Sequence, residues 1–333
     1  MTSVGEIDEV DAQPDENAPR RALSRRIRPW EAIDVVVVAT LLIGAGLGGS
    51  IPEYYLYIAS LGGLYVLVAI GNNLLLAHAG IVSLGQGALF GAGAYAAAIG
   101  ANRGWGFVPS AVFAVAAALV ASLLVGLPAI RLRGHYLALV TLALALSFGE
   151  IITVSPSLTG GSAGFPVVSG ILAPIPLFAV ICVVVAIAVW SQDRLIRGRF
   201  GVTLRLVRDS ESAARSCGIS VPKYKIIAFG YSGVLAGVAG ALFPSLTGYV
   251  APSSFDLWLS IYILAAVVIG GMFSPVGAML GGAFVAVLPQ LVSQYQGLTA
   301  IIFGVALLVV IFLLEKRALL ERLSSRKVAS RAR

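Results

Sequence analysis

Few residues of this chain could do chemistry, and Glu150 is the one carboxylate well inside an apolar segment, TLALALSFGEIITV. Ionisable groups are costly in lipid, so such a residue is a functional candidate by default. Glu150 could face a water-filled pathway, pair with a partner subunit or reach the external headgroups. The two histidines, His78 and His135, fall near segment ends and are interpreted as interfacial rather than catalytic.

The lysines and cysteines argue against catalysis. None of the four lysines is followed by Ser or Thr, so the chain has no GK[ST] phosphate loop. Cys182 and Cys217 make neither a disulfide framework nor a metal site. We therefore predict a protein that is not an enzyme and holds no cofactor or metal of its own.

Ser83 and Gln86 lie in a glycine-rich segment, AGIVSLGQGALFGAGAY. Its glycines leave a strip of exposed backbone, which either packs tightly on a neighbouring helix or opens polar groups to a pore. The adjacent Ser and Gln side chains favour the second interpretation, so both are predicted to line a pathway.

A second polar candidate is the external loop SPSLTGGSAGFP, residues 155–166. Thr159, Gly160 and Gly161 are predicted to form a flexible turn in it. This turn could contact a delivered substrate or a docking protein.

The elements that carry these residues are typical of a membrane protein. Hydrophobic residues make up 58% of the 333 positions and charged residues only 12%, against about 25% charged in a soluble domain. Because the apolar runs are continuous rather than alternating, they predict helices and not a barrel. Ten segments result, near 33–51, 54–75, 81–100, 108–128, 135–154, 173–190, 226–248, 258–275, 277–296 and 298–314.

The predicted fold is thus an all-α polytopic transmembrane bundle of about 8–10 spans. The range reflects two segments, 81–100 and 277–296, that could be re-entrant or broken helices. If both termini are cytoplasmic, 22 of the 23 Lys and Arg residues lie on the cytoplasmic side and only Arg103 lies outside, as the positive-inside rule requires. This distribution explains the net charge of +7 without a nucleic-acid partner, since no water-exposed basic domain exists.

Three regions follow from these patterns. Residues 1–30 are predicted to be a disordered cytoplasmic tail, acidic at first and ending in a basic cluster beside the membrane. Residues 31–315 form the transmembrane domain, which includes a cytoplasmic loop at 191–225. Residues 316–333 form a basic cytoplasmic tail.

The loop at 191–225 is the one long polar interruption between spans. In it, Leu204 and Val207 alternate with polar residues at three- and four-residue spacing, which predicts an amphipathic helix. Gly218 is placed to end this helix and Pro222 to prevent its resumption, while Asp209 could cap a second short turn. On physical grounds alone, an interfacial helix lying on anionic lipid is the stronger interpretation.

Several ordered stretches resemble permease subunits of bacterial ATP-binding-cassette importers, in the branched-chain amino acid (LivM-type) family. They cover most of residues 60–315: the glycine-rich stretch at 80–95, RLRGHYLALVTLALA at 131–145, LTGGSAGF at 158–165, RDSESAARSCGISVPKYK at 208–225, and GYVAPSSFDLWLSIYILAAVVIGGMFSPVGAMLGGAF at 248–284. The chain departs from the family pattern at Ala163, where an acidic residue is common, and at Gln86, where histidine is common.

The resemblance implies a multi-pass protein of the bacterial cytoplasmic (inner) membrane that takes up branched-chain amino acids. It also implies a second permease subunit, two cytoplasmic ATPase subunits through which ATP acts, and an extracytoplasmic binding protein. A short helix near 209–218 would sit in a cleft of one ATPase. The coupling residues would be Arg208, Asp209, Glu211, Ala213, Ala214, Arg215 and Gly218. Alternatives are a urea or short-amide permease, a sugar-type relative, and an ion-coupled secondary carrier.

Overall fold

The computed structural model describes residues 52–129, 135–167 and 172–292, together with residues 304, 305 and 308. Within these residues the chain is an all-α bundle, as predicted. The helices are α1 (Glu53–Asn73), α2 (Gln86–Asn102), α3 (Phe107–Ala129), α4 (His135–Val154), α5 (Pro156–Thr159), α6 (Pro174–Arg197), α7 (Arg199–Asp209), α8 (Glu211–Ser216), α9 (Val221–Thr247), α10 (Leu257–Gly270) and α11 (Pro275–Val292).

Four short elements connect these helices. A π-helical turn, Leu74–His78, continues α1, and two 3₁₀ turns are formed by Gly161–Ala163 and Pro252–Phe255. A two-residue antiparallel ladder pairs β1 (Phe165–Pro166) with β2 (Tyr249–Val250).

Eight of the ten predicted segments coincide with described helices. Six helical stretches of the described chain are long and apolar enough to cross a membrane, while α2 has only 17 residues. The predicted segments 33–51 and 298–314 fall outside the described residues, apart from 304, 305 and 308. Both termini also lie outside them, so their cytoplasmic placement stays a prediction.

Segment 81–100 is a broken helix, because α2 begins only at Gln86. The preceding residues 80–85 are non-helical and start with Gly80 at φ 68°. Irregular backbone at membrane depth must be satisfied by protein, and Thr141 does so by accepting a hydrogen bond from the Leu84 amide at 3.0 Å. Segment 277–296 is continuous helix as far as it is described, within α11.

Glycines bring α9 into backbone contact with α2. A Cβ added to Gly240 would lie 2.6 Å from both the Ala94 nitrogen and the Phe90 oxygen, and one added to Gly93 would lie 3.0 Å from the Gly237 Cα. Helices in lipid associate through such small residues, since they allow close approach. This part of the glycine strip is therefore packed against protein.

This contact makes Gly240→Ala destabilising. Because the atoms that meet the added methyl group belong to the backbone, they cannot rotate away, and we expect a cost of about 1–3 kcal/mol. Thermal unfolding of the purified protein in detergent measures it. The control is Gly149→Ala, where no atom lies within 4 Å of the added carbon. Equal stability of the Gly240 variant and the wild type would contradict the close α2–α9 contact.

Most of the predicted polar loop is helical. Helix α6 continues beyond its apolar part to Arg197, and α9 begins at Val221, so only short breaks separate α6, α7, α8 and α9. A basic last turn suits the C-terminus of α6, where Arg194 and Arg197 lie near the unpaired carbonyl groups. The loop therefore consists of the ends of α6 and α9 and the two short helices α7 and α8 between them.

Candidate functional site

The α7–α8 unit, residues 199–218, is two helices and not one. Ser210 breaks the chain with an extended backbone (φ −158°, ψ 106°), and its side chain accepts a hydrogen bond from the Ala213 amide at 3.2 Å. Serine is a preferred N-cap because its hydroxyl satisfies a free amide of the first turn. The sequence prediction that Asp209 caps this turn is wrong, since Ser210 occupies that position.

Gly218 ends α8, as predicted. It adopts φ 75°, and the following Ile219 amide donates to the Ala214 carbonyl at 3.0 Å. This left-handed exit satisfies a carbonyl group that the helix end leaves free. Pro222 lies in the first turn of α9, where a missing amide hydrogen costs nothing. It therefore helps to start α9 directly after the turn.

The apolar face of α7 is covered by protein. Leu204 and Val207 are fully buried. Leu204 belongs to a cluster with Phe229 of α9 and the π-helical turn, and Val207 packs with Ala214 and Val221. The amphipathic pattern is thus explained by packing inside the molecule.

Glu211 joins α8 to the start of α9. Its Oε1 accepts a hydrogen bond from Lys225 Nζ at 2.5 Å, and Arg215 lies 3.5 Å away from Oε2. The Lys225 side chain is only 5% exposed, against 25% for Glu211. A buried ammonium needs a charged partner, so this pair fixes the position of α8.

Arg208 is half-buried, and its guanidinium contacts the protein interior as well as the exposed Asp209 carboxylate. Its Nη1 donates to the Ala77 carbonyl at 2.6 Å, and its guanidinium lies 5.4 Å from the Phe273 ring centre. Its neighbour Asp209 contacts it at 2.8 Å with a side chain that is 62% exposed. The two residues therefore present an ion pair to the surface, in which the carboxylate is the more exposed partner.

A small polar surface remains for a partner on the α7–α8 unit. It contains Asp209 and the exposed residues of α8 and its exit turn, which are Ser212, Ala213, Arg215, Ser216, Cys217 and Gly218. Ala214 is buried under it and packs internally. Of the two small residues predicted to allow close approach, only Ala213 is exposed.

Ser83 and Gln86 form a closed polar cluster. Both are buried; Gln86 Nε2 donates to Ser83 Oγ at 3.4 Å, and Gln86 Oε1 accepts from Ser232 Oγ at 3.2 Å. The next amide, of Gly87, donates to Ser260 Oγ at 2.9 Å. The cluster joins α2, α9 and α10, and a pathway role for Ser83 and Gln86 stays a prediction.

Glu150 lies on an exposed apolar face of α4. The neighbouring Leu146, Ile151 and Val154 are 56%, 61% and 79% exposed, and Glu150 is itself exposed. A carboxylate on a membrane-spanning surface normally faces water or another protein chain. This face is therefore a candidate for either environment.

The turn at Thr159, Gly160 and Gly161 is fixed by hydrogen bonds. The Thr159 hydroxyl, which has one proton to donate, lies 2.7 Å from both the Ile152 and the Ser155 carbonyl oxygens, and it accepts from the Gly161 amide at 3.3 Å. Both glycines have positive φ, and the β1–β2 ladder follows directly. The sequence prediction of a flexible turn differs from this arrangement, because the threonine hydroxyl and the ladder tie its two ends.

A family described as branched-chain amino acid transport system / permease component matches residues 54–314. The chain belongs to this family. The high-affinity branched-chain amino acid transport system permease protein LivM of Escherichia coli (strain K12) is 29% identical to this permease over 303 residues, 80% of this chain and 70% of the relative. No solved structure matches the permease significantly.

Two other relatives match a smaller part of this chain, and one of them is named for a different substrate. The probable branched-chain amino acid transport permease protein LivH of Methanocaldococcus jannaschii is 35% identical over 133 residues, 40% of this chain and 41% of its own. The autoinducer 2 import system permease protein LsrC of Enterobacter sp. (strain 638) is 29% identical over 238 residues, 66% of each chain.

The permease is thus the membrane component of an ATP-binding-cassette transport system and a multi-pass inner-membrane protein. Subunits of this kind lack an ATPase site and work with ATPase and other subunits. The resemblance seen in the sequence is confirmed at the level of the family.

Sequence reasoning missed several residues that hold the site together. Lys225, Gln192 and Ser232 are buried, and each contacts a polar group on another helix. In the sequence, Lys225 served only as one of the basic residues that assign the loop to the cytoplasmic side. A signal was available, since Lys225 and Gln192 stand where polar loop meets apolar span, where a polar side chain can turn inward.

Proposed function

We propose that this permease imports branched-chain amino acids. Its complex would contain a second permease subunit, two cytoplasmic ATPase subunits through which ATP acts, and an extracytoplasmic binding protein. The main support for this choice of substrate is the similarity to LivM, which extends over 80% of this chain. The similarity to LsrC covers only 66% of this chain.

The similarity to LsrC supports autoinducer 2 as a second candidate substrate. Membership of the permease family argues against an ion-coupled secondary carrier. None of these relatives is named for urea or a short amide. Uptake of urea is therefore included in the test as a result that would contradict the proposal.

The substrate is tested with the complex reconstituted in vesicles that contain ATP. Uptake of radiolabelled leucine, isoleucine and valine is compared with uptake of urea and autoinducer 2, each delivered by the cognate binding protein. We expect saturable, ATP-dependent uptake of the three amino acids. Uptake of autoinducer 2 or urea in their place would contradict the proposal.

The α7–α8 unit is proposed as the element that binds an ATPase subunit. Leu204 and Val207, the apolar face that the spacing predicts, are buried in the protein, and Val202 is the exposed large apolar side chain of the unit. This packing favours a protein-bound unit over a membrane-surface helix. Glu211 and Gly218 would fix the orientation of α8, while Asp209, Ala213 and Arg215 would contact the ATPase. Ala214 and Arg208 would act from inside the permease.

The substrate side is proposed to include the exposed face of α4 and the turn after α5. Glu150 would face a water-filled pathway or the second permease subunit, since lipid is a costly environment for its carboxylate. Ser83 and Gln86 would reach the pathway only when the contact of Gln86 with Ser232 and the contact between Gln86 and Ser83 open. Thr159, Gly160 and Gly161 would present a rigid turn to the binding protein.

Glu150→Gln is expected to lower the uptake rate about tenfold without changing the amount of assembled complex. The amide keeps the size of the side chain and removes only its charge. Uptake is measured per complex, and Glu53→Gln is the control because it changes an exposed carboxylate at the beginning of α1. Unchanged uptake kinetics would make Glu150 a boundary residue.

A further inference from the structure

Arg208 connects the α7–α8 unit to the end of α1. Its Nη1 donates to the Ala77 carbonyl at 2.6 Å, across 131 positions of the sequence. The acceptor belongs to the π-helical turn, Leu74–His78, and such turns are frequent at functional sites. The contact therefore joins a polar surface element to an irregular end of a membrane span.

Gly80 allows this approach. A Cβ at this position would lie 2.6 Å from Arg208 Cγ and 3.4 Å from Arg208 Cβ. Its φ of 68° is also one that other residues rarely adopt. The arginine stem thus lies directly on the backbone that follows the π-helical turn.

The same guanidinium reaches a third element, the α10–α11 turn at residues 271–274. It lies over Phe273, 5.4 Å from the ring centre. The carbonyl of the preceding Met272 accepts a hydrogen bond from Asn73 Nδ2 at 2.7 Å. The α10–α11 turn is therefore held between Arg208 on one side and the last residue of α1 on the other.

Asn73 extends this junction to α6. Its Oδ1 accepts a hydrogen bond from Gln192 Nε2 at 2.9 Å, and both side chains are fully buried. Beyond the junction, α11 packs closely on α1, since a Cβ on Gly282 would lie 2.8 Å from the Val66 Cα. A shift of the α10–α11 turn would consequently move α11 against α1.

We propose that Arg208 is a positioning residue that transmits movement of the α7–α8 unit to α1 and to the α10–α11 turn. The proposal rests on the proposed function, in which an ATPase subunit moves this unit. It assigns Arg208 a place inside the permease, rather than on the surface that contacts the ATPase. Asn73 and Gln192 then spread the movement to α6.

Arginine is required at this place for a geometric reason. Its planar guanidinium can donate to a carbonyl while its face lies on an aromatic ring, whereas the lysine ammonium is a compact, strongly hydrated point charge. Arg208→Lys should therefore preserve the charge and disconnect the junction. Phe273→Leu should remove the aromatic contact alone.

The test measures uptake and ATP hydrolysis of the full complex in vesicles. We expect Arg208→Lys to lower the amount of substrate transported per ATP hydrolysed about tenfold, and Phe273→Leu to lower it less. The control is Arg197→Lys, in the last turn of α6 and outside the α7–α8 unit, because Arg197 pairs with Asp193 on its own helix. This control should stay within about twofold of the wild type.

A ratio for Arg208→Lys equal to that of the Arg197 control would overturn the proposal. If Arg208→Lys fails to insert, Phe273→Leu decides, and its unchanged ratio would overturn the proposal in the same way. A purely structural role predicts loss of assembled complex at a constant ratio. If no ATPase co-purifies with the wild type, the proposed function itself fails. If uptake is ATP-driven and Arg208→Lys leaves the amount of substrate transported per ATP unchanged, only the role of Arg208 is wrong.

Discussion

Gly218→Val is expected to reduce ATP-driven uptake at least about tenfold while the permease still inserts into the membrane. Gly218 has φ 75°, and no atom lies within 4 Å of the position of an added Cβ. The effect is therefore one of backbone conformation, because a β-branched residue in the left-handed region costs about 1–3 kcal/mol. The exit turn would rearrange and displace α8 from α9.

Gly218→Asn is the matched control. Asparagine tolerates the left-handed conformation better than other side chains, so it should keep most of the uptake despite its larger size. Uptake is measured per inserted permease, together with the amount of ATPase that co-purifies. Wild-type uptake by the valine variant would show that the shape of this turn is irrelevant to coupling.

Glu211→Lys is expected to have the second large effect. The change leaves Lys225, whose side chain is 5% exposed, beside a second cation instead of its carboxylate partner. Loss of one partner of a buried pair costs of the order of 3 kcal/mol. We therefore expect α8 to separate from the beginning of α9 and ATP-driven uptake to fall at least about tenfold.

Exchange of the two charges tests the physical cause. The double variant Glu211→Lys with Lys225→Glu restores an ion pair in reverse, so it should recover part of the uptake that each single variant loses. Inserted protein and bound ATPase are quantified for all variants. A double variant no better than the single ones would mean that Glu211 acts through the ATPase rather than through Lys225.

The spans and their predicted sidedness were accessible from the sequence because lipid imposes a strong and simple constraint. A continuous apolar run must form a helix, and the positions of Arg and Lys give the orientation. Neither apolar runs nor the positions of basic residues indicate a helix outside lipid. The predicted spans therefore end before Arg197, where α6 ends, and begin after Val221, where α9 begins. Past the apolar run, the helices continue on polar residues.

The interior contacts of the site could not be predicted from spacing. Periodicity identified Leu204 and Val207 as one face of α7, and this face is buried. It does not reveal what covers the face, and on physical grounds alone the pattern favoured lipid. The Arg208–Ala77 contact joins residues 131 positions apart, and only the packed bundle brings them together.

The most direct test of the α7–α8 unit uses a native thiol. Cys217 is exposed at the end of α8, while Cys182 is buried in α6, so a maleimide photo-crosslinker should label Cys217 selectively. In the assembled complex, illumination is expected to join the permease to an ATPase subunit, in a yield that changes when ATP is added. Cross-links to lipid alone, or an absence of ATPase from the products, would contradict the assignment of the α7–α8 unit as the coupling element.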